Sequence, residues 1–249
     1  MMSSQTQGIK HLHLQPEGGI AGDMFLAALL GLGASPESIT DAFASLEIPG
    51  LELCIEDVEV EGIASLYVRS LAPDLHHHTQ LHEVLERIEQ ASASRAAKNL
   101  ATGVFEILAA AEAKVHGGES GDVHLHEVGA LDSVMDILGG AIAYTEVGAP
   151  KVTYESVPIG HGQVNTSHGF LDIPVPAVQE IVAAHNLVTQ PVDVAGETMT
   201  PTGAALLAGL SAVHVQDFSG SAGQQGVGAG TLRFPGRANV IKAIEVVDG

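Results

Sequence analysis

The stretch His11-Leu12-His13-Leu14-Gln15-Pro16-Glu17-Gly18-Gly19-Ile20-Ala21-Gly22-Asp23, running on into Met24–Leu32, decides the fold class. His11–Leu14 reads as a short strand, the glycines as a turn and Met24–Leu32 as a strong helix former. Working outward, Leu51–Val60 and Ile63–Leu71 alternate apolar and polar residues around Glu61-Gly62, the pattern of a hairpin with one wet face. Thr79–Ser92 and the alanine-rich Ser94–Val115 read as helices, with Gly117-Gly118 ending the second.

Val123–His126 reads as extended, Leu131–Val147 as a helix and Lys151–Ile159 as one strand. Pro174 is expected to open a helix running to His185, and Thr200-Pro201 another over Thr202–Ala212. Val192–Ala195 is read as extended and Asn239–Val247 as the last strand. Helices alternate with strands, which predicts an α/β or α+β fold: a mixed sheet with flanking helices and an inserted β-hairpin. Residues 1–249 are read as one region, with a small hairpin subdomain near 50–75.

Composition narrows the function. Hydrophobic residues make up 45% of the chain and aromatics only 4%, with no Trp, so an aliphatic core is expected and base-stacking platforms are not. Thirty acidic residues against ten basic ones give a net charge of -20, which repels phosphate backbones and attracts divalent cations; nucleic acid is not an expected partner. One cysteine, Cys54, excludes a thiolate-rich metal site within one chain. The longest apolar run, Met24–Ala34, is eleven residues, short of the roughly 20 needed to span a bilayer. The start of the chain lacks the basic and apolar stretches of a secretory signal, so no membrane partner and a cytoplasmic location are expected.

The segment His124-Leu125-His126-Glu127-Val128-Gly129-Ala130-Leu131-Asp132-Ser133-Val134-Met135-Asp136 is the richest in ligating groups. On an extended backbone His124 and His126 share a face, and on a helix Asp132 and Asp136 do. Imidazole with carboxylate suits nickel, zinc or manganese. The apolar stripe Leu131, Met135, Leu138, Ile142 is expected to bury the other side, leaving both aspartates beside the small Gly139 and Gly140. The plainer alternative is that the histidines are packed and Asp132 caps a helix.

Weaker candidates are His78 with His82, beside His76 and His77, and His11 with His13, for which sheet-surface packing is the plainer reading. The turn Gly18, Gly19, Gly22 before a helix invites an anion, though Asp23 opposes one unless a cation intervenes. Thr200, Thr202 and Gly203 form a good cap or an anion pocket. Arg233 and Arg237, two of only ten cations, follow Gly226-Val227-Gly228-Ala229-Gly230 and suit carboxylate or phosphate.

Taken together, several segments resemble the LarC family of nickel insertion proteins. They are Gly18–Met24, Ala109–His116, His124–Ser133, Ser167-His168-Gly169, Pro174–Ala177, Thr200–Ala205 and Gly228-Ala229-Gly230. The resemblance implies a nickel chelatase, a lyase that uses CTP to insert nickel into a pyridinium bis-thiocarboxylate mononucleotide. The product is the nickel-pincer cofactor of lactate racemase, whose apoprotein becomes an expected partner. It also implies a second region associated with CTP and its Mn or Mg ion; this chain stops at Gly249, so a separate C-terminal LarC part is expected to be needed. A homo-oligomer is expected on the same ground. The family pattern has an arginine where this chain has His77 and a proline where it has Asp172. On this reading His124, His126, Asp132 and Asp136 hold nickel, with Asp23, Glu127, His168, His78 and His82 as further donors. Thr200, Thr202, Gly203, Arg233, Arg237 and the glycine turn would meet the nucleotide. A non-enzymatic nickel carrier or store and a metal-dependent hydrolase are the alternatives.

Overall fold

The structure, a computed structural model, describes residues 8–71, 79–118, 124–125, 131–166 and 169–247. β1 (His11–Gln15) lies inside a seven-stranded mixed sheet, parallel to β6 (Lys151–Tyr154) on one side and antiparallel to β13 (Val240–Val247) on the other. β11 (Val213–His214) pairs in parallel beyond β6. Beyond β13 come β12 (Ser221–Ala229), then β3 (Ile63–Leu71) and β2 (Glu52–Val60) at the edge. The expected mixed sheet is therefore present, and the hairpin forms its margin. Glu61 and Gly62 both have positive φ, 50° and 81°, the two-residue turn whose twist matches the flanking strands.

The helices are α1 (Gly22–Gly31), α2 (Pro36–Ala44), α3 (Leu81–Gln90), α4 (Arg95–His116), α5 (Leu131–Glu146), α6 (Pro176–His185) and α7 (Pro201–Gly209). α1 packs on β12 and β3, α5 packs on α1, and α4 joins α5 to α6 and α7. Ser94 caps α4 by accepting from the Ala97 N–H, and Gly117 closes it in the left-handed region at φ 70°. The core is aliphatic as expected: Leu12, Leu14, Leu26, Leu29, Leu108 and Leu138 are wholly buried beside Phe25 and Phe105. Among the described residues no helix is long and apolar enough to cross a membrane.

Two expectations need correction. The run Lys151–Ile159 is two strands: the ladder with β1 closes where the Glu155 N–H donates to the Leu14 carbonyl at 3.1 Å, and β7 (Val157–His161) pairs instead with β10 (Thr189–Ala195). The first four residues of the run Gly226–Gly230 end the long strand β12. Gly228 lacks a side chain for a packing reason: a Cβ there would lie 1.9 Å from the Met24 carbonyl oxygen, so strand and helix backbones meet directly. Gly139 and Gly140, expected to open a ligand face, instead admit the side chains of Leu26 and Phe25 from α1.

Candidate functional site

The turn after β1 is tied to the segment that enters α7. The Ile20 N–H donates to the Thr198 carbonyl at 2.8 Å, and the Thr200 N–H donates back to the Ile20 carbonyl at 3.1 Å. Gly19, at φ 140°, lies where a Cβ would stand 1.7 Å from the Thr198 oxygen, so only glycine passes. A Cβ on Gly203 would lie 2.3 Å from the Ile20 oxygen, and one on Gly22 would lie 2.9 Å from the Asp136 Cβ. These close approaches bring the first turns of α1 and α7 against α5. Asp23, Asp132, Asp136, Thr200 and Thr202 are thereby gathered from three stretches distant in sequence.

Thr200 caps α7, its Oγ1 accepting from the Gly203 N–H at 3.1 Å and hydrogen-bonding the Thr202 hydroxyl at 2.8 Å. Thr200→Ala is expected to lower stability by about 1 kcal/mol, the usual worth of such a cap, as read by urea unfolding.

The three aspartates differ in environment. Asp132 is exposed; Asp23 and Asp136 are partly buried. Loss of water around Asp23 raises its carboxyl to about 6; the Met24 N–H, donating at 2.8 Å, opposes the rise and the charge of Asp132 adds to it. Asp136 is pushed well above the ordinary carboxylate range, first by burial and then by the charges of Asp23 and Asp132. Full ionisation of this trio is therefore disfavoured.

Two cavities adjoin the trio. One, of about 440 Å³, is lined by Asp132, Glu112, His116, Thr202 and an apolar wall that includes Val164 and Leu171. The other, of about 480 Å³, is lined by Asp23, Thr198, Thr231 and Asn239. Val164, Asn165, Glu197 and Thr200 belong to both. Glu112 and His116, one turn apart on α4, bring Oε2 and Nε2 to 3.4 Å. Their i, i+4 spacing was visible in the sequence. Asn165 and Glu197 were not foreseeable, because β8 (Gln163–Thr166), its partner β9 (Gly169–Asp172) and the Glu197 segment carry no periodic signal.

The remaining expected residues are dispersed. Gly18 and Gly19 serve packing: the Gly18 N–H donates to the Val240 carbonyl at 3.0 Å, and a Cβ there would meet the Asn239 Cα at 2.3 Å. His82 is exposed on α3 and lines neither cavity. Arg233 turns its guanidinium onto its own loop, donating to the Gly230 carbonyl at 2.7 Å. Arg237 lines a third cavity, away from the aspartates. The backbone of His124 pairs with Gln80 in the short ladder of β4 (Thr79–Gln80) and β5 (His124–Leu125). His78, His126, Glu127 and His168 lie outside the described residues. Among the described residues, no group of three or more His, Cys, Asp or Glu side chains is arranged to hold a metal ion.

A family model described as "Nickel insertion protein" matches residues 12–248. The chain belongs to the nickel insertion protein family. Proteins named pyridinium-3,5-bisthiocarboxylic acid mononucleotide nickel insertion protein match it in Staphylococcus epidermidis, at 35% identity over 95% of this chain and 59% of that protein. The same name is carried by relatives in Staphylococcus saprophyticus, 36% identical over 94% of this chain and 59% of the relative, and in Alkaliphilus metalliredigens, 34% identical over 95% and 60%. The chain thus spans about three-fifths of the length of these relatives. No solved structure matches it.

Proposed function

We propose that this chain receives nickel and presents it for insertion into a pyridinium bis-thiocarboxylate mononucleotide, the substrate in its relatives' names. The observation that carries the reading is the approach of Asp23, Asp132 and Asp136, from two helices, with Asp132 lining one cavity of about 440 Å³ and Asp23 another of about 480 Å³. Nickel is the cargo. Carboxylate oxygens and imidazole nitrogens hold it without the grip of thiolates, so the softer thiocarboxylate sulfurs of the substrate can draw it onward. The aspartates supply the oxygens, and His124, His126 and Glu127, close before Asp132 in sequence, supply the rest of the donor set. His168 is a further candidate donor. Thr200 and Thr202 position the nucleotide from the start of α7.

The enzyme as a whole is a CTP-dependent lyase in this reading, and CTP with its Mn or Mg belongs to the part of the relatives that this chain does not span. Its product serves lactate racemase. Anaerobic nickel titration tests the metal step: His126→Ala is expected to bind at least tenfold more weakly than the parent, within the 10–100-fold range typical of perturbed metal shells. Equal affinity and stoichiometry would remove His126 from the site. A carrier differs from an insertion enzyme in one outcome: with CTP and a C-terminal LarC region supplied, only the enzyme transfers nickel to the mononucleotide.

A further inference from the structure

Outside the carboxylate site, the cavity lined by Arg237 carries an inference of its own. It measures about 280 Å³ and lies at the carboxyl ends of the adjacent parallel strands β1 and β6, where Gln15-Pro16-Glu17 and Glu155-Ser156 leave the sheet. Crevices at the carboxyl ends of parallel strands are where open α/β sheets take ligands. Its wall holds both signs of charge, and one of the two acids is charge-paired. Glu17 is paired with Lys242, while Glu155 accepts from Gln15 at 2.9 Å and faces His13 Nε2 at 3.3 Å.

Arg237 is different. Its Nε is buried without a hydrogen-bond partner, and its guanidinium makes no ion pair among the described residues. A guanidinium that makes no ion pair among the described residues is a fork for a planar oxyanion, and Glu155, held by Gln15, keeps its own charge on the same wall. Glu155 retains acceptor capacity next to it, because a carboxylate offers about four lone-pair sites. Gln190, exposed on β10, stands at the rim. The site is separate from the nickel site: Asn239, two residues on, lines the cavity of Asp23, and Arg237 does not.

We propose that this cavity binds a small organic carboxylate bearing a neighbouring hydrogen-bond donor, the carboxylate on Arg237 and the donor on Glu155. The test uses metal-free protein and saturation-transfer NMR with glycolate, acetate and inorganic phosphate as separate probes. Glycolate is expected to give saturation transfer that Arg237→Gln abolishes, and acetate a signal weaker by at least threefold. Gln190→Trp, a rim substitution at an exposed position, should reduce the glycolate signal without disturbing the fold, so a poorly folded Arg237 variant leaves the question decidable. Glycolate transfer that is absent from the parent, or unchanged in both variants, overturns the proposal. Binding of phosphate in preference to glycolate overturns it too. Nickel is not in the assay, so failure here leaves the nickel reading untouched, and loss of that reading leaves this one.

Discussion

Asp136→Asn is expected to make the metal-free protein more stable at pH 8 while weakening nickel binding at least tenfold. Both effects follow from one arrangement. The Asp23 and Asp136 carboxyls are raised above their ordinary values, so the folded chain holds their protons more tightly than the unfolded chain does. Their contribution to stability is fully present below about pH 4 and is lost as pH rises through about 6 for Asp23 and higher for Asp136. Asparagine removes one charge and relieves Asp23 of a neighbour, so the variant's stability should fall less between pH 5 and 8 than the parent's. Nickel runs the other way: it binds the ionised carboxylates and displaces their protons, so parental affinity should drop as pH falls below about 6. Thermal unfolding across pH, with nickel titrations at pH 5.5 and 7.5, reads both. Identical pH slopes in parent and variant would show that the trio is not coupled.

What the sequence made legible and what it hid have physical reasons. β1, the β2–β3 hairpin and helices α1, α4 and α5 were readable because each carries its own period, cap or turn chemistry. Ser94 and Gly117 mark both ends of α4, and Leu131, Met135, Leu138 and Ile142 form a stripe that is buried as expected. β12 was not readable, since its glycines reflect the approach of α1, a tertiary fact with no local signature. The pairing of Asp132 with Asp136 came from helical spacing alone. That Asp23 joins them depends on Gly19, Gly22 and Gly203 fitting together across about 180 residues, which only the fold reveals. Arg233 and Arg237 looked alike as scarce cations, yet one is spent on its own loop and the other faces a cavity.

Gly228→Ala tests the contact on which this geometry rests. A Cβ at this position would stand 1.9 Å from the Met24 carbonyl and 2.9 Å from the Ala28 nitrogen, both backbone atoms that cannot swing aside as a side chain can. Helix and strand must part, at a cost of about 3 kcal/mol by analogy with overpacked cores, or roughly 6–12 °C in melting temperature for a chain of this size. Gly103→Ala is the counterpart. Gly103 lies in the middle of α4 with nothing within 4 Å of its would-be Cβ, so alanine should stabilise by about 0.5–1 kcal/mol through backbone entropy. The two variants should diverge in nickel binding as well as in stability. Met24 follows Asp23 in the first turn of α1, so a displaced helix start carries that carboxylate away from Asp132 and Asp136, whereas Gly103 lines neither cavity. Calorimetry beside nickel titration reads both quantities on the same preparations. A Gly228→Ala protein with parental melting temperature and parental affinity would mean that α1 is free to shift on the sheet, and that the carboxylates do not depend on the glycine contact to meet.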